Sequence, residues 1–264
     1  MDCKVKVIIP VYKSALSETE RISLERCFSV LNRYEKVFVK PESLDISSWT
    51  SFVPGYSFGI ESFEDRFFQG VAGYNRLMMS PVFYKRFLET EYILICQLDA
   101  FIFDDRLEYW SSLGYDYIGA PWMKKKKYDA FYYRIFSGFR NFFRSLTGVK
   151  NYDLWNKVGN GGFSLRKVMP HYKAVCEMGP LIAEYLKREG KSRYNEDVFW
   201  SMEVPEWNKN FKIPGWQEAL DFAFDINPEE CYAYSKKLPF AVHGWDKRKN
   251  FYRPLIKDYT GIVI

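Results

Sequence analysis

Apolar and polar positions along this chain follow two periods, one suited to strands and one to helices. Residues 4–11 form a short apolar run of the kind buried on both faces of a sheet. The spacing of Ile22, Leu24, Phe28 and Leu31 predicts a helix over residues 17–34, and residues 36–40 predict a second strand. Residues 41–65 are mixed, with a short helix predicted near 44–51 and a strand near 56–60. A helix over 70–88 would turn Val71, Leu77, Phe83 and Phe87 inward. Residues 92–97 read as a strongly apolar strand that runs out at Leu98-Asp99. Residues 103–113 follow, then a strand over 115–118 and a long helix over 170–188. Short buried strands alternating with helices predict an α/β fold, a mainly parallel central sheet flanked by helices. No repeat and no linker of disordered composition interrupts the pattern, so residues 1–264 read as a single domain with an insert over 123–155.

Composition narrows the class without naming a function. An apolar fraction of 47% excludes intrinsic disorder, and 16 Gly with 12 Pro exclude a collagen-like or low-complexity chain. No apolar run reaches the roughly 18–20 residues needed to span a bilayer. The aromatic fraction of 19% suits a sugar-handling surface, although a Phe-rich core accounts for most of it. Cys3, Cys27, Cys96, Cys176 and Cys231 are scattered and form no CxxC pair, which argues against a zinc knuckle or a disulfide framework. A signal peptide would need a longer apolar segment than the one after Met1, so the expectation is a reducing, cytoplasmic setting.

Charge is concentrated in one place. The whole chain carries +5, but residues 123–150 hold eight basic side chains against Asp129 alone, a local +7 that leaves a mildly acidic remainder. That distribution argues against a broad nucleic-acid-binding face. On a helix over 131–146, Phe131, Tyr132, Ile135, Phe136, Phe139, Phe142, Phe143 and Leu146 share an arc of roughly 140°. Arg134, Ser137, Arg140, Asn141 and Arg144 take the other side, with Tyr133 the misfit. An aromatic face flanked by cations suits the inner, anionic face of a membrane; an ordinary helix packed on its own domain has the same pattern.

Four segments could carry chemistry. Gln97-Leu98-Asp99 ends an apolar strand, which would put a carboxylate at the carboxyl edge of the sheet, where open α/β folds bind ligands; a strand-end Asp is also a common turn residue. Gly159-Asn160-Gly161-Gly162 allows a ligand close to the backbone, or simply a tight turn before a strand; it lacks the Gly-Lys-Ser/Thr ending of a Walker loop. Asn195-Glu196-Asp197 resembles a helix start with Asn195 as cap, where a carboxylate could serve as structural charge or as general base. His243 is one of two histidines and stands in an aromatic-Gly segment, while His171 at a helix start reads as incidental.

Taken in order, these segments resemble a GT-A-type nucleotide-sugar glycosyltransferase of the bacterial surface-polysaccharide kind (capsule or O-antigen). The resemblance rests on Gln97-Leu98-Asp99, on residues 115–122 (YDYIGAPW), on residues 159–166 (GNGGFSLR), on Asn195-Glu196-Asp197 and on the late His243. It implies that Pro10, Val11 and Tyr12 border the nucleotide base, and that Asn75, Arg76, Gln97 and Asp99 contact the donor. It implies that Trp122, Asn160, Gly161 and Gly162 lie on the acceptor side, and that Asp197, with Glu196 beside it, is the catalytic carboxylate of an inverting transfer. Asp99 and His243 would hold a divalent cation, Mn²⁺ or Mg²⁺. The implied partners are a nucleotide-sugar donor, a UDP-sugar foremost, and a glycan or polyprenyl-linked acceptor. One departure stands against the cation: the second carboxylate of a DxD motif would fall at Phe101, and Asp104, near in sequence, is expected to point elsewhere. Two rival readings follow. One is a non-catalytic glycan- or lipid-binding protein on the same scaffold. The other is a nucleotidyltransferase, although Tyr12-Lys13-Ser14-Ala15 lacks the glycine-rich loop that reaction favours.

The charge pattern generates a direct test. The protein is expected to sediment with anionic liposomes at low salt and to come off at high salt, where surface attraction is screened. Charge reversal at Lys124, Lys125, Lys126, Lys127, Arg140 and Arg144 should abolish sedimentation. A wild-type protein indifferent to such liposomes at low salt would rule out the membrane reading.

Overall fold

Two sheets organise the described residues, 5–125, 152–188 and 191–264 of this computed structural model. The helix predicted over 131–146, with most of the +7 segment, lies outside them. In chain order the elements are β1 (Val5–Pro10), α1 (Glu18–Val30), β2 (Glu35–Pro41), β3 (Gly59–Phe63), α2 (Gly70–Met78), α3 (Pro81–Lys85), β4 (Tyr92–Cys96) and β5 (Ala100–Ile102). They continue with α4 (Leu107–Ser112), β6 (Tyr117–Gly119), β7 (Phe163–Lys167), α5 (Val168–Glu177), α6 (Gly179–Lys187) and α7 (Glu196–Val198). Two short strands, β8 (Ala223–Phe224) and β9 (Ala241–His243), come late in the chain.

The main sheet has the order β3-β2-β1-β4-β7-β6. Its first four strands are parallel; β7 runs antiparallel between β4 and β6. This is the mostly parallel, helix-flanked sheet expected from the pattern. Every residue of β4 is buried, so the strand can only be central, and its alternate side chains feed two layers. Tyr92, Leu94 and Cys96 join Val5, Val7 and Ile9 beneath α1, where Leu24, Cys27 and Phe28 pack. Ile93 and Ile95 join Ile8 on the opposite face against Leu77, Met78, Phe83 and Phe87 of the α2–α3 region.

The small sheet has the order β5-β9-β8. Ala100 of β5 pairs with His243 of β9, which carries a residue from late in the chain to the end of β4. Behind this sheet, Phe101, Phe103, Val242, Trp245, Tyr252 and Ile256 form a third apolar cluster.

Several predicted boundaries move, each for a local reason. The helix expected over 70–88 breaks into α2 and α3 because Pro81 supplies no backbone N–H; Ser80 Oγ accepts from Val82 N at 3.2 Å and starts the second piece. The helix expected over 170–188 divides into α5 and α6 at Gly179-Pro180 for the same reason. The first helix stops at Val30, and the buried Lys36 Nζ from β2 donates to the Leu31 and Tyr34 carbonyls just beyond its end. The segment near 44–51 becomes a 3₁₀ helix, Ser47–Phe52. The third strand lies at 59–63 instead of 56–60 because Tyr56 and Phe58 stack edge-on over Phe28, and Phe58 also over Phe38. Among the described residues no helix is long and apolar enough to cross a membrane.

Candidate functional site

The parallel strands β1 and β4 end on one edge of the sheet. Just past β4 the chain turns tightly: Gln97 N donates to Gly162 O and Ala100 N donates back to Gln97 O, both at 2.9 Å. This turn sets Gln97 and Asp99 at the strand end, facing His243 from β9. His243 Nε2 lies 3.3 Å from Gln97 Oε1 and 3.1 Å from Asp99 Oδ1. The Asp99 oxygen is buried at ion-pair distance without a well-directed hydrogen bond of its own. On the other side of the ring, Nδ1 is 3.1 Å from Asp225 Oδ1 and 3.1 Å from Asn160 Nδ2. An amide N–H and a protonated ring nitrogen are both donors, so Asp225 takes the bond when the imidazole is charged. Lys247 Nζ closes the cluster at 3.2 Å from Asp99 Oδ2.

The electrostatics follow from this crowding. Burial alone would discharge the imidazole, but the Asp225 and Asp99 carboxylates outweigh it and push His243 up to about 10. Burial would likewise raise Asp99, yet the imidazole and the Lys247 ammonium hold it down at about 2. At neutral pH Asp99 is therefore ionised between an imidazolium and an ammonium.

The glycine loop forms the wall between this cluster and the next. A Cβ on Gly162 would sit 2.2 Å from His243 Nε2, and one on Gly161 would sit 1.8 Å from Glu196 Oε1. Close approach therefore dictates these two glycines, while the left-handed turn falls on Asn160, at φ 46°. Asn160 Oδ1 holds that turn by accepting from Phe163 N at 3.2 Å. Trp122, half-buried, lies flat against the backbone of Gly159.

Beyond Gly161 stands a second cluster. Glu196 is 3% exposed and its carboxylate is bound by Arg166, which is fully buried, with N···O distances of 3.0 Å to each oxygen. Both oxygens face the guanidinium, Oε1 by hydrogen bond and Oε2 as an ion pair. Asn75, also buried, accepts from Glu196 N and donates to Asn195 Oδ1, both at 3.1 Å. Asn75 thus anchors the start of α7 through both ends of its amide. Asn195 stands at the cap position but makes no side-chain cap bond, since its oxygen serves Asn75.

Asp197 is half-buried, and its Oδ1 accepts from Val198 N at 2.8 Å. Burial first, then the Glu196 and Asp225 carboxylates, push its carboxyl up to about 7. That is the range in which a carboxylate exchanges protons at neutral pH.

The remaining candidates divide by exposure. Pro10 and Val11 are buried and support the edge through their backbone, with Val11 N bonded to Val39 O at 2.8 Å. Tyr12 is 61% exposed and lies within electrostatic reach of Asp99 and Lys247. Arg76 is half-buried in the last turn of α2. His171 is fully buried against Tyr84, Tyr117, Trp200 and Phe211 and is held neutral by burial and by Arg166.

Phe101 requires a correction. It is fully buried, stacked on Phe103 and Trp245 in the third apolar cluster, and was never a ligand position. The residue that meets the imidazole together with Asp99 is Gln97, two places earlier. Asp104 is engaged elsewhere, by Arg106 and Tyr259.

Sequence reasoning missed three residues: Asp225, Lys247, and Arg166 as the partner of Glu196. Asp225 follows the apolar run Phe222-Ala223-Phe224, the same strand-end pattern that drew attention to Asp99. Lys247 is followed by Arg248 and Lys249, and nothing local distinguishes it from a solvated run. Among the described residues no group of three or more His, Cys, Asp or Glu side chains is arranged to hold a metal ion. Asp99 offers a buried carboxylate oxygen that lacks a hydrogen bond, but His243, charged between Asp225 and Asp99, would have to lose its proton before it could join Asp99 in holding a divalent cation. A cavity of about 450 Å³, lined by Glu177, Met178, Leu181, Glu203 and Trp207 among others, shares no residue with either cluster.

The chain is similar to mouse xyloside xylosyltransferase 1 in its apo form, with a TM-score of 0.54 at 11% identity, covering 90% of this chain and 96% of that one. It is also similar to core-mannan synthase A from Aspergillus fumigatus in its Mn/GDP form, with a TM-score of 0.52 at 7% identity, covering 81% of this chain and 73% of that one. At such identities the likeness is one of fold, and the fold is a GT-A-like α/β one. No curated protein matches the sequence. Residues 57–243, which include every residue of both clusters except Lys247, match the family described as "Protein of unknown function (DUF5672)", and the chain belongs to that family.

Proposed function

We propose that this chain is a glycosyltransferase that moves a hexose from a nucleotide-diphosphate sugar, a UDP-sugar foremost, to a glycan hydroxyl with inversion at the anomeric carbon. The observation that carries the reading is a division of labour across the glycine loop. On the Gly162 side, the exposed Lys247 ammonium stands over Asp99 beside a His243 ring already paired with Asp225. On the Gly161 side, Asp197 holds a carboxyl that accepts protons near neutrality. A transfer of this kind needs both, a proton acceptor for the incoming hydroxyl and a counter-charge for the leaving diphosphate.

In this reading Asp197 takes the proton from the acceptor hydroxyl as its oxygen bonds to the anomeric carbon. The bond from that carbon to the diphosphate oxygen breaks, and the electron pair leaves with the nucleoside diphosphate. The Lys247 ammonium, on a side chain 70% exposed, can turn from Asp99 to meet that charge. Asp99 and the Gln97 oxygen, joined by His243 once its proton is displaced, are the residues that would hold a divalent cation, whose chemistry when bound is charge neutralisation at the departing phosphate. Tyr12 offers an exposed ring at the end of β1 for the base, and Arg76 remains a donor-side cation. Trp122 and the Asn160–Gly162 backbone offer a wall to the acceptor, since an aromatic face suits a sugar ring. The motif resemblance and the +7 segment favour an acceptor from surface-polysaccharide synthesis, carried on a polyprenyl lipid at an anionic membrane. The non-catalytic reading drew its support from Phe101 as a lost ligand, and a core residue gives it none.

Replacing Asp197 by Asn should lower transfer by about 10²–10⁴-fold while calorimetry with UDP- and GDP-sugars, with and without Mn²⁺, shows donor binding retained. Turnover that survives the substitution sinks the base assignment. The sign of the pH effect is fixed by the raised carboxyl: Asp197 is protonated and idle at low pH, so kcat/KM should climb through about pH 7 to a plateau. A profile flat from pH 5 to 8 would count against Asp197. Removing the ammonium with Lys247→Ala should weaken UDP binding by about tenfold, the low end for a charged hydrogen bond because the side chain is exposed; an unchanged Kd would remove Lys247 from the donor site.

A further inference from the structure

We propose that Arg166 and Glu196 are a positioning pair, one buried ion pair that locks the turn carrying Asp197 and the glycine loop into a single register. The inference rests on the reading of Asp197 as base.

Its ground is the way the guanidinium is committed. Arg166 projects from β7 with no exposed surface; its Nη2 donates to Glu196 Oε1 and its Nη1 stands at ion-pair distance from Oε2, each at 3.0 Å. Nη2 also donates to Gly161 O at 3.3 Å, Nη1 to Tyr84 OH at 3.1 Å and Nε to Ser164 Oγ at 3.0 Å. A single planar group therefore touches the loop on one side of the site and the base-bearing turn on the other. Gly161 has no room for a side chain because Glu196 Oε1 lies against it, so the two segments meet without slack. Asn75 fastens the same turn from α2 through the Glu196 amide.

Stability alone does not call for such a pair. Desolvating two charges offsets most of their attraction, and well-packed apolar side chains of similar volume hold a core as well or better. What apolar side chains cannot do is fix direction. A fork bound to a carboxylate and a carbonyl at once sets the angle between loop and turn, and that angle decides how Asp197 faces an acceptor held on the loop. Four groups face Asp197 electrostatically: Glu196, Asp225, Arg166 and Tyr117. The pair supplies two of them.

The experiment uses the full chain in three variants: Arg166→Lys, which keeps the charge and loses the fork; Glu196→Gln, which keeps the shape and loses the charge; and Arg166→Met with Glu196→Leu, which removes both charges. The double variant is expected to melt near wild type, to bind UDP-sugar within about twofold, and to lose about 10²-fold in kcat, the cost of a misplacement of about 1 Å. Arg166→Lys should show the same split, kcat falling while donor Kd holds. Glu196→Gln should move the acid limb of kcat/KM to lower pH, because the carboxylate facing Asp197 is gone. Wild-type kcat in a folded double variant, or in Arg166→Lys should the double variant fail to fold, would overturn the proposal, as would an acid limb that stays put in Glu196→Gln. If the wild type transfers no sugar at all, the reading of the site as a glycosyltransferase fails, and the pair is judged by amide hydrogen exchange of Arg166→Lys. Faster exchange together at 161–163 and 196–198 upholds the single register; a change confined to one segment refutes it.

Discussion

Everything at the site hangs on where β4 must lie. A strand apolar at every position cannot be satisfied at an edge or with one wet face, so it is driven between β1 and β7 with a layer on each side. The end of such a strand is the first place where its chain can carry a polar side chain, and Gln97 and Asp99 occupy it. The switch from parallel pairing with β1 to antiparallel pairing with β7 occurs at this same strand. β7 therefore enters the sheet from the side of the glycine loop and delivers Gly162 O to Gln97 N. Hydrophobic burial of one strand thus fixes the meeting point of segments far apart in sequence.

Much of this was legible because burial writes a periodic signal. The longer strands of the main sheet, the α/β class and the candidate segments at residues 97–99, 159–162, 195–197 and 243 follow from short-range pattern or motif, whereas β5, β8 and β9, of two or three residues each, are too short to show a period. The signal weakened where a local feature overrode the period, as at Ser80-Pro81, where a missing N–H divides a helix whose apolar spacing runs on unbroken. It failed where a role depends on a partner distant in sequence. Arg166 lay inside a quoted motif, yet nothing local says that its guanidinium meets Glu196. The resemblance gives Asn75 a place on the donor side, but nothing local says that its amide also clamps α7. Phe101 was placed by counting along a motif, and the count started one ligand too late. Only the geometry shows that Gln97 and Asp99 share the imidazole.

The two clusters also divide the electrostatics. Around His243, opposite charges are packed close enough that the ring stays protonated and Asp99 stays ionised despite burial. Around Asp197, like charges and burial act together and the proton is held more tightly. Gly161 and Gly162, adjacent in sequence, separate these opposite regimes by the width of a peptide. Any side chain there would intrude on one of them, which explains why the loop spends two glycines where no positive φ is needed.

The pairing of β5 with β9 has a consequence for how the molecule is made. Gln97 and His243 are 146 residues apart, and their contact forms only after the chain has closed loops of that span, a slow and entropically costly step. During synthesis β1, β2 and β4 can assemble early from local βαβ contacts. Until β7 arrives, β4 presents an open, wholly apolar edge. A nascent chain stopped between residues 102 and 163 would carry that edge unprotected, and so be prone to pair with another copy of itself. The site is then among the last features to exist, and its completion marks the moment at which the sheet stops being sticky.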